Sequence, residues 1–134
     1  MGVIFDTSEI IILERDNRTV GEIIHGREDE PFGISVITVA ELLHGVERAD
    51  TQARKIKRQT FVEKVIEFFP VFPFETTIAR IYARLWALLA AQGIVVGSHD
   101  LMIAATALSM DYTIITANMR DFGKIEGLKV EKFG

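Results

Sequence analysis

The chain has 134 residues, 49% of them hydrophobic and 25% charged, which is ordinary globular usage and excludes a disordered chain. We expect residues 1–134 to form one domain, because typical domains have about 100–150 residues. The absence of cysteine excludes disulfides, zinc–thiolate sites and cysteine nucleophiles, and favours a cytoplasmic location. The net charge of −4 does not exclude a nucleic-acid partner, because the basic stretch 54–58 lies apart from the acids at 28–30.

The first half of the chain alternates short apolar stretches with helical patterns. A strand is predicted at 3–5, stopped by Asp6, and helices are predicted at 8–14 and 17–27. Pro31 and Gly33 end the second helix, and the apolar run 34–37 predicts the next strand.

Thr38 and Glu41 have the three-residue spacing of a capping box, which predicts a helix beginning at Thr38 and ending near Gly45. The next predicted helix covers 52–69, with four apolar residues turned to the core: Ile56, Phe61, Val65 and Phe68.

The second half begins with a short extended piece between two prolines, 70–73. The clearest helical period follows at 75–92, closed by Gly93. The remaining predicted elements are a helix at 99–110, a strand at 112–116, a turn at 118–123 and a strand near 128–130. Strands alternating with helices predict a three-layer α/β/α fold with a central, mostly parallel sheet of four to five strands. We see no membrane span, since no segment has about 20 consecutive apolar residues.

Four acidic residues are placed near the carboxyl ends of the predicted strands: Asp6, Glu41, Asp100 and Asp121. Each one alone has a structural explanation as a helix cap, a first-turn acid or a turn residue. In a parallel sheet, however, ligands bind at the carboxyl ends of the strands, and all four acids would face that edge.

Clustered carboxylates repel each other and need a counter-charge. A site made of oxygen ligands, without cysteine, suits a hard cation such as Mg²⁺ or Mn²⁺. His44 and His99 lie near the acids, and we interpret both as neighbours or RNA contacts rather than ligands, because imidazole suits Mg²⁺ poorly.

Four segments resemble the motifs of PIN-domain nucleases, in the family's order: Ile4–Ser8, Thr38–Gly45, His99–Ala105 and Thr116–Phe122. Within that family the chain is most similar to the VapC toxins of toxin–antitoxin pairs. The resemblance implies a Mg²⁺- or Mn²⁺-dependent endoribonuclease. It also implies RNA as the substrate, a homodimer, and a small cognate VapB-like antitoxin that blocks the acidic cleft.

The resemblance also implies roles for individual residues. Asp6 and Asp100 would bind the metal directly, and Glu41 would bind through water or orient the attacking water. Thr7 and Thr116 would hold these carboxylates by hydrogen bonds.

The fourth acidic position departs from the fuller family pattern. Asn118 stands where many relatives carry an Asp, and Asp121 supplies a carboxylate three residues later. Both are candidates, and we favour Asp121 as the working carboxylate, with Asn118 as an amide that orients water or phosphate.

Two further features have open interpretations. The basic residues Arg54, Lys55, Lys57 and Arg58 form either a solvated helix face or a contact for RNA or antitoxin. The stripe Ile78, Tyr82 and Trp86 belongs either to the core, which we favour, or to a dimer seam.

Alternative functions are a non-catalytic PIN-like RNA-binding module and a receiver-like signalling domain. The intact acids argue against the first. The second requires paired acids after the first strand and a lysine after a late strand, which Asp6 and the segment 116–118 do not provide. A nucleotide-binding Rossmann or P-loop domain is excluded because no glycine-rich loop follows Phe5.

Overall fold

The sheet of this computed structural model, which describes residues 2–132, consists of five parallel strands. Their order across the sheet is β3-β2-β1-β4-β5. The strands are β1 (Val3–Phe5), β2 (Phe32–Ser35), β3 (Val71–Phe72), β4 (Thr113–Ile115) and β5 (Val130–Glu131).

The helices are α1 (Thr7–Arg15), α2 (Val36–Glu47), α3 (Gln52–Phe68), α4 (Thr76–Ala91), α5 (Ser98–Met110) and the short α6 (Met119–Phe122). Among residues 2–132, none of these helices is both long and apolar enough to cross a membrane.

The sheet separates two apolar cores, as strand geometry requires. Successive side chains of a strand point to opposite faces, so Val3 and Phe5 enter one core and Ile4 the other. The first core includes Ile10 of α1 and residues of α2 and α3, and the second is filled by α4, α5 and α6, including Phe122. The predicted three-layer α/β/α fold with a parallel sheet is therefore confirmed.

The predicted N-cap of α2, Thr38, is wrong by three residues. Ser35 is the N-cap, and its hydroxyl accepts a hydrogen bond from the Ile37 amide at 3.0 Å. Strand β2 consequently ends at Ser35, and the predicted strand 34–37 extends too far. Thr38 lies inside α2, so Glu41 occupies the second turn rather than the first. The helix also continues past Gly45 to Glu47.

The segment predicted as a helix at 17–27 contains only a 3₁₀ helix, Val20–Ile24. Thr19 and Glu22 form a capping box at its start. Residues with positive φ bracket it, Asn17 at 55° and Gly26 at 84°, and they prevent a longer regular helix.

Each of two predicted buried helix faces contains one residue that is exposed instead. Ile56 of α3 is 58% exposed, and Val62 takes the buried position beside Val65. Trp86 of α4 is 60% exposed, although Ile78 on the same stripe is buried as predicted.

Candidate active site

The site lies at the point in the sheet where the strand order reverses. Strand β1 has β2 on one side and β4 on the other, and this switch point is where open α/β sheets bind ligands. Asp6 follows β1 and Thr116 follows β4. The Thr116 hydroxyl donates to Oδ2 of Asp6 at 2.8 Å.

Asp6 is 3% exposed and is held by side chains rather than by helix capping. Although it is the N-cap residue of α1, its carboxylate makes no capping hydrogen bond. Ser8 donates to Oδ2 of Asp6 at 2.8 Å and accepts from the Ala117 amide at 3.2 Å. The alternative that Asp6 serves only as a helix cap is therefore wrong, and its second carboxylate oxygen is the one that could face a ligand.

Each carboxylate oxygen of Glu41 has a partner from a different element. The Thr7 hydroxyl donates to Oε1 at 2.6 Å, and Nδ1 of His99 lies 3.4 Å from Oε2. Inside the fold, the Thr7 hydroxyl lies 3.0 Å from that of Thr38, which is fully buried. Helices α1, α2 and α5 thus meet at Glu41.

Asp100 lies in the first turn of α5, as predicted, and is surrounded by the other acids. Burial, together with the charges of Asp6, Glu41 and Asp121, raises its pKa to about 6, while His99 opposes the shift. The four acids are therefore close enough to interact.

Asn118 stands between two of the acids. Its side-chain NH₂ donates to Asp121 at 3.0 Å and lies 3.5 Å from Oδ2 of Asp100, while its oxygen caps the short helix α6. The pKa of Asp121 is lowered by the Asn118 hydrogen bond and by Lys124, whose ammonium group lies 3.3 Å from its carboxylate. Asp121 is thus an ionised carboxylate with two partners of its own.

The donor set fits a hard divalent cation in an open site. Within residues 2–132, no three His, Asp or Glu side chains form a closed metal cluster. Mg²⁺ usually takes one or two protein carboxylates and keeps several waters, so Asp6 and Asp100 are sufficient ligands. Burial and the neighbouring acids both raise the pKa of Asp100, and such a cation would balance the negative charge of these acids.

The predicted basic contacts divide into two groups. Arg54 forms a two-pronged ion pair with Asp50, and Lys55 lies 3.6 Å from Glu47, so both are engaged on the surface. Arg58, by contrast, lines the cavity that begins at Glu41, and Lys57 lines a second cavity next to it.

The sequence analysis missed the roles of two polar residues at the site: Ser8 supports Asp6, and Thr38 contacts Thr7. His99 lies beside an acid, Glu41, as predicted. For Ser8, the sequence offered one indication: a hydroxyl residue two positions after the acid that follows a strand. For Thr38, the capping-box pattern pointed to a different role.

A model of the PIN domain matches residues 3–128. The chain belongs to the PIN-domain family. Ribonuclease VapC1 of Rickettsia felis is 40% identical to this PIN domain over 130 residues, which cover 97% of this chain and 95% of that protein. The predicted resemblance to VapC-type PIN domains is confirmed, and family membership excludes the receiver-like alternative.

Solved structures share the fold of this PIN domain. VapBC2 from Rickettsia felis, bound to a DNA fragment from its promoter, contains a chain with a TM-score of 0.89 at 22% identity, with full coverage of both chains. VapBC-5 from Mycobacterium tuberculosis, a member of the VapBC family of toxin–antitoxin systems, gives 0.75 at 30% identity, covering 98% of this chain and 97% of that one.

Proposed function

We propose that this chain is a Mg²⁺- or Mn²⁺-dependent endoribonuclease and the toxin of a toxin–antitoxin pair. The observation that carries the proposal is the convergence of Asp6, Glu41 and Asp121 on Asp100, whose pKa rises to about 6. The support from comparison is the 40% identity to a ribonuclease VapC over nearly the whole chain.

In this proposal Asp6 and Asp100 bind the cation through their carboxylates. A bound divalent cation would lower the pKa of a water molecule and balance charge on the phosphate oxygens. Thr116 and Ser8 hold one oxygen of Asp6, and the other oxygen would bind the cation.

Glu41 orients the attacking water, because Thr7 and His99 hold its two oxygens and restrict rotation of the carboxylate. Asn118 donates to Asp121 and reaches towards Asp100. This amide keeps Asp121 aligned at the edge of the site, where the carboxylate completes the acidic shell.

The proposed biological setting includes two protein partners and a location. A VapB-like antitoxin is supported by the likeness to a VapBC toxin–antitoxin member at 30% identity. We also propose that the domain spans residues 1–134, forms a homodimer and works in the cytoplasm. The exposed Trp86 and Leu88 on α4 support an additional protein contact, and the cysteine-free composition supports the location.

The test is cleavage of labelled single-stranded and structured RNA by the wild-type protein, by Asp6→Asn and by Asp111→Asn. Asp111 is an exposed acid paired with Lys129, so the last variant is a matched control for the loss of one carboxylate. Cleavage should require Mg²⁺ or Mn²⁺, stop with EDTA, and be lost only in Asp6→Asn. RNA binding without cleavage under every metal condition would instead establish the non-catalytic module.

A further inference from the structure

One cavity is lined by residues of the site, and a second cavity shares two lining residues with the first. The first has a volume of about 510 Å³ and begins at Glu41 and His99. The second has a volume of about 440 Å³ and reaches Lys64. Both are lined by Glu14 and Phe61, so they lie side by side, and we call the two together the side groove.

The side groove is basic although the chain carries a net charge of −4. Its cationic lining residues are Arg18, Arg48, Lys57, Arg58 and Lys64, and its acidic ones are Glu14 and Glu41. Positive charge lining a groove concentrates anionic ligands and raises their association rate. The cavity that begins at Glu41 is lined by two cations and two acids, and the excess of positive charge lies in the second cavity.

Three of these cations, Arg48, Lys57 and Lys64, form no ion pair within residues 2–132 and are available to a ligand. Arg58 lies 3.8 Å from Glu14 and donates to the Gly45 carbonyl at 2.9 Å. Seven residues separate Lys57 and Lys64, so they lie on the same side of α3, two helical turns apart.

An aromatic side chain stands where the cavities meet. Phe61 is half-buried and is on the same helix face as Lys57 and Lys64. Alternating cations and an aromatic ring along a groove are the features that bind single-stranded nucleic acid, because phosphates meet the charges and bases stack on the ring.

We propose that the side groove binds the single strand of RNA that runs from the scissile phosphate, with Lys57 and Lys64 on phosphates and Phe61 under a base. The proposal rests on the proposed function and adds the course of the substrate. It moves the contacts from Arg54 and Lys55, which are paired and outside both cavities, to the groove-facing residues of α3. An acidic peptide would meet the same charges, but only a substrate must be continuous with the site at Glu41.

The test compares two lengths of single-stranded RNA, about 4 and about 16 nucleotides. The double variant Lys57→Ala/Lys64→Ala should lower kcat/KM several-fold on the longer RNA and leave the shorter one unchanged. The slope of the logarithm of the RNA-binding constant against the logarithm of salt concentration should become shallower by about 0.7 for each lysine removed. The matched control is Arg80→Ala/Arg84→Ala, which removes two exposed cations of α4 and should change neither quantity.

A variant that is expected to bind RNA more tightly provides a second, more specific test. Glu14→Gln removes the acid that lines both cavities, so it should tighten binding of the longer RNA, whereas Glu67→Gln on the exposed face of α3 should not. The proposal is overturned if the groove variants and the control variants change RNA binding equally. It is also overturned if the groove variants change only the inhibition by an acidic antitoxin peptide.

Binding is measured by fluorescence anisotropy in EDTA alongside the cleavage assay. If wild-type protein cleaves neither RNA, the proposed function fails, and the anisotropy series still decides whether the groove binds RNA. If it cleaves both lengths and the lysine variant matches the control, only the groove assignment fails.

Discussion

The Thr116 hydroxyl donates to Oδ2 of Asp6 at 2.8 Å and joins the ends of two adjacent parallel strands across 110 residues of sequence. Both residues are buried, so the hydrogen bond is screened from water. Since Ser8 donates to the same oxygen, the orientation of the Asp6 carboxylate is fixed before any ligand arrives.

Replacing Thr116 with valine keeps the shape of the side chain and removes this hydrogen bond. Thr116→Val should weaken Mg²⁺ binding about 10- to 100-fold, as the loss of a group that orients a ligand commonly does. Calorimetric titration with Mg²⁺ measures the effect. Thr60→Val, which removes an exposed hydroxyl bonded to the Ile56 carbonyl, is the control and should bind Mg²⁺ like the wild type.

The raised pKa of Asp100 predicts a pH dependence of stability in metal-free protein. Between its ordinary value of 3.8 and about 6, the folded state holds a proton that the unfolded state has lost. The free energy of unfolding should therefore fall as pH rises through that interval. Asp100→Asn abolishes this dependence and, in EDTA at pH 7.5, should be more stable than wild type by about 1–2 kcal/mol after allowance for solvent screening.

Urea unfolding from pH 4 to pH 8 measures this difference. Asp111→Asn serves again as the control, because that exposed acid lies outside the cluster and should leave the pH profile unchanged. Parallel profiles for wild type and Asp100→Asn would show that the acids do not interact as the structure indicates.

Substitutions at Asn118 and Asp121 distinguish the role of a carboxylate from the role of an amide. Asp121→Asn should lower RNA cleavage and Mg²⁺ affinity more than Asn118→Ala does, because it removes the charge. Asn118→Asp should tighten Mg²⁺ binding, since it adds a carboxylate about 3.5 Å from the position of Asp100. Metal titrations and cleavage rates on the three variants measure these effects, and the reverse order would assign the fourth position to Asn118.

Gly33 is required by the packing of β2. A Cβ at this position would lie 2.6 Å from ring atoms of Phe72 and 2.7 Å from the Pro70 carbonyl oxygen. Gly33→Ala should lower the free energy of unfolding by about 1–3 kcal/mol in urea titrations. Gly21→Ala, where a Cβ meets nothing within 4 Å, should change it by less than about 0.5 kcal/mol.

The positions of the acids at the strand ends were predictable, because they depend only on the order and direction of the strands. Once Val3–Phe5 and Thr113–Ile115 are strands in one parallel sheet, Asp6 and Thr116 must emerge at the same edge. That inference needs no side-chain detail.

The start of α2 was not predictable from local pattern. Ser35 and Thr38 are three residues apart and both are good caps, and Glu41 completes a capping box only with Thr38. The structure selects Ser35, because Thr38 is fully buried against Thr7, a contact between distant parts of the chain.

The buried faces of α3 and α4 depended on tertiary packing. On α3, Val65 is buried and Phe61 packs against the core as the helical period predicts, but Ile56 lies beyond the reach of that core. On α4, Ile78 is buried and Tyr82 packs against the core, whereas Trp86 is exposed.

The stability of the protein as a function of Mg²⁺ concentration, in the wild type and in Asp100→Asn, tests the central claim most directly. At a hundredfold excess over Kd, Mg²⁺ should raise the wild-type free energy of unfolding by about 2.7 kcal/mol. Asp100→Asn should lose most of that gain together with RNA cleavage. A variant that gains as much as the wild type from Mg²⁺, or cleaves RNA at the wild-type rate, would contradict the assignment of Asp100 to a catalytic metal site.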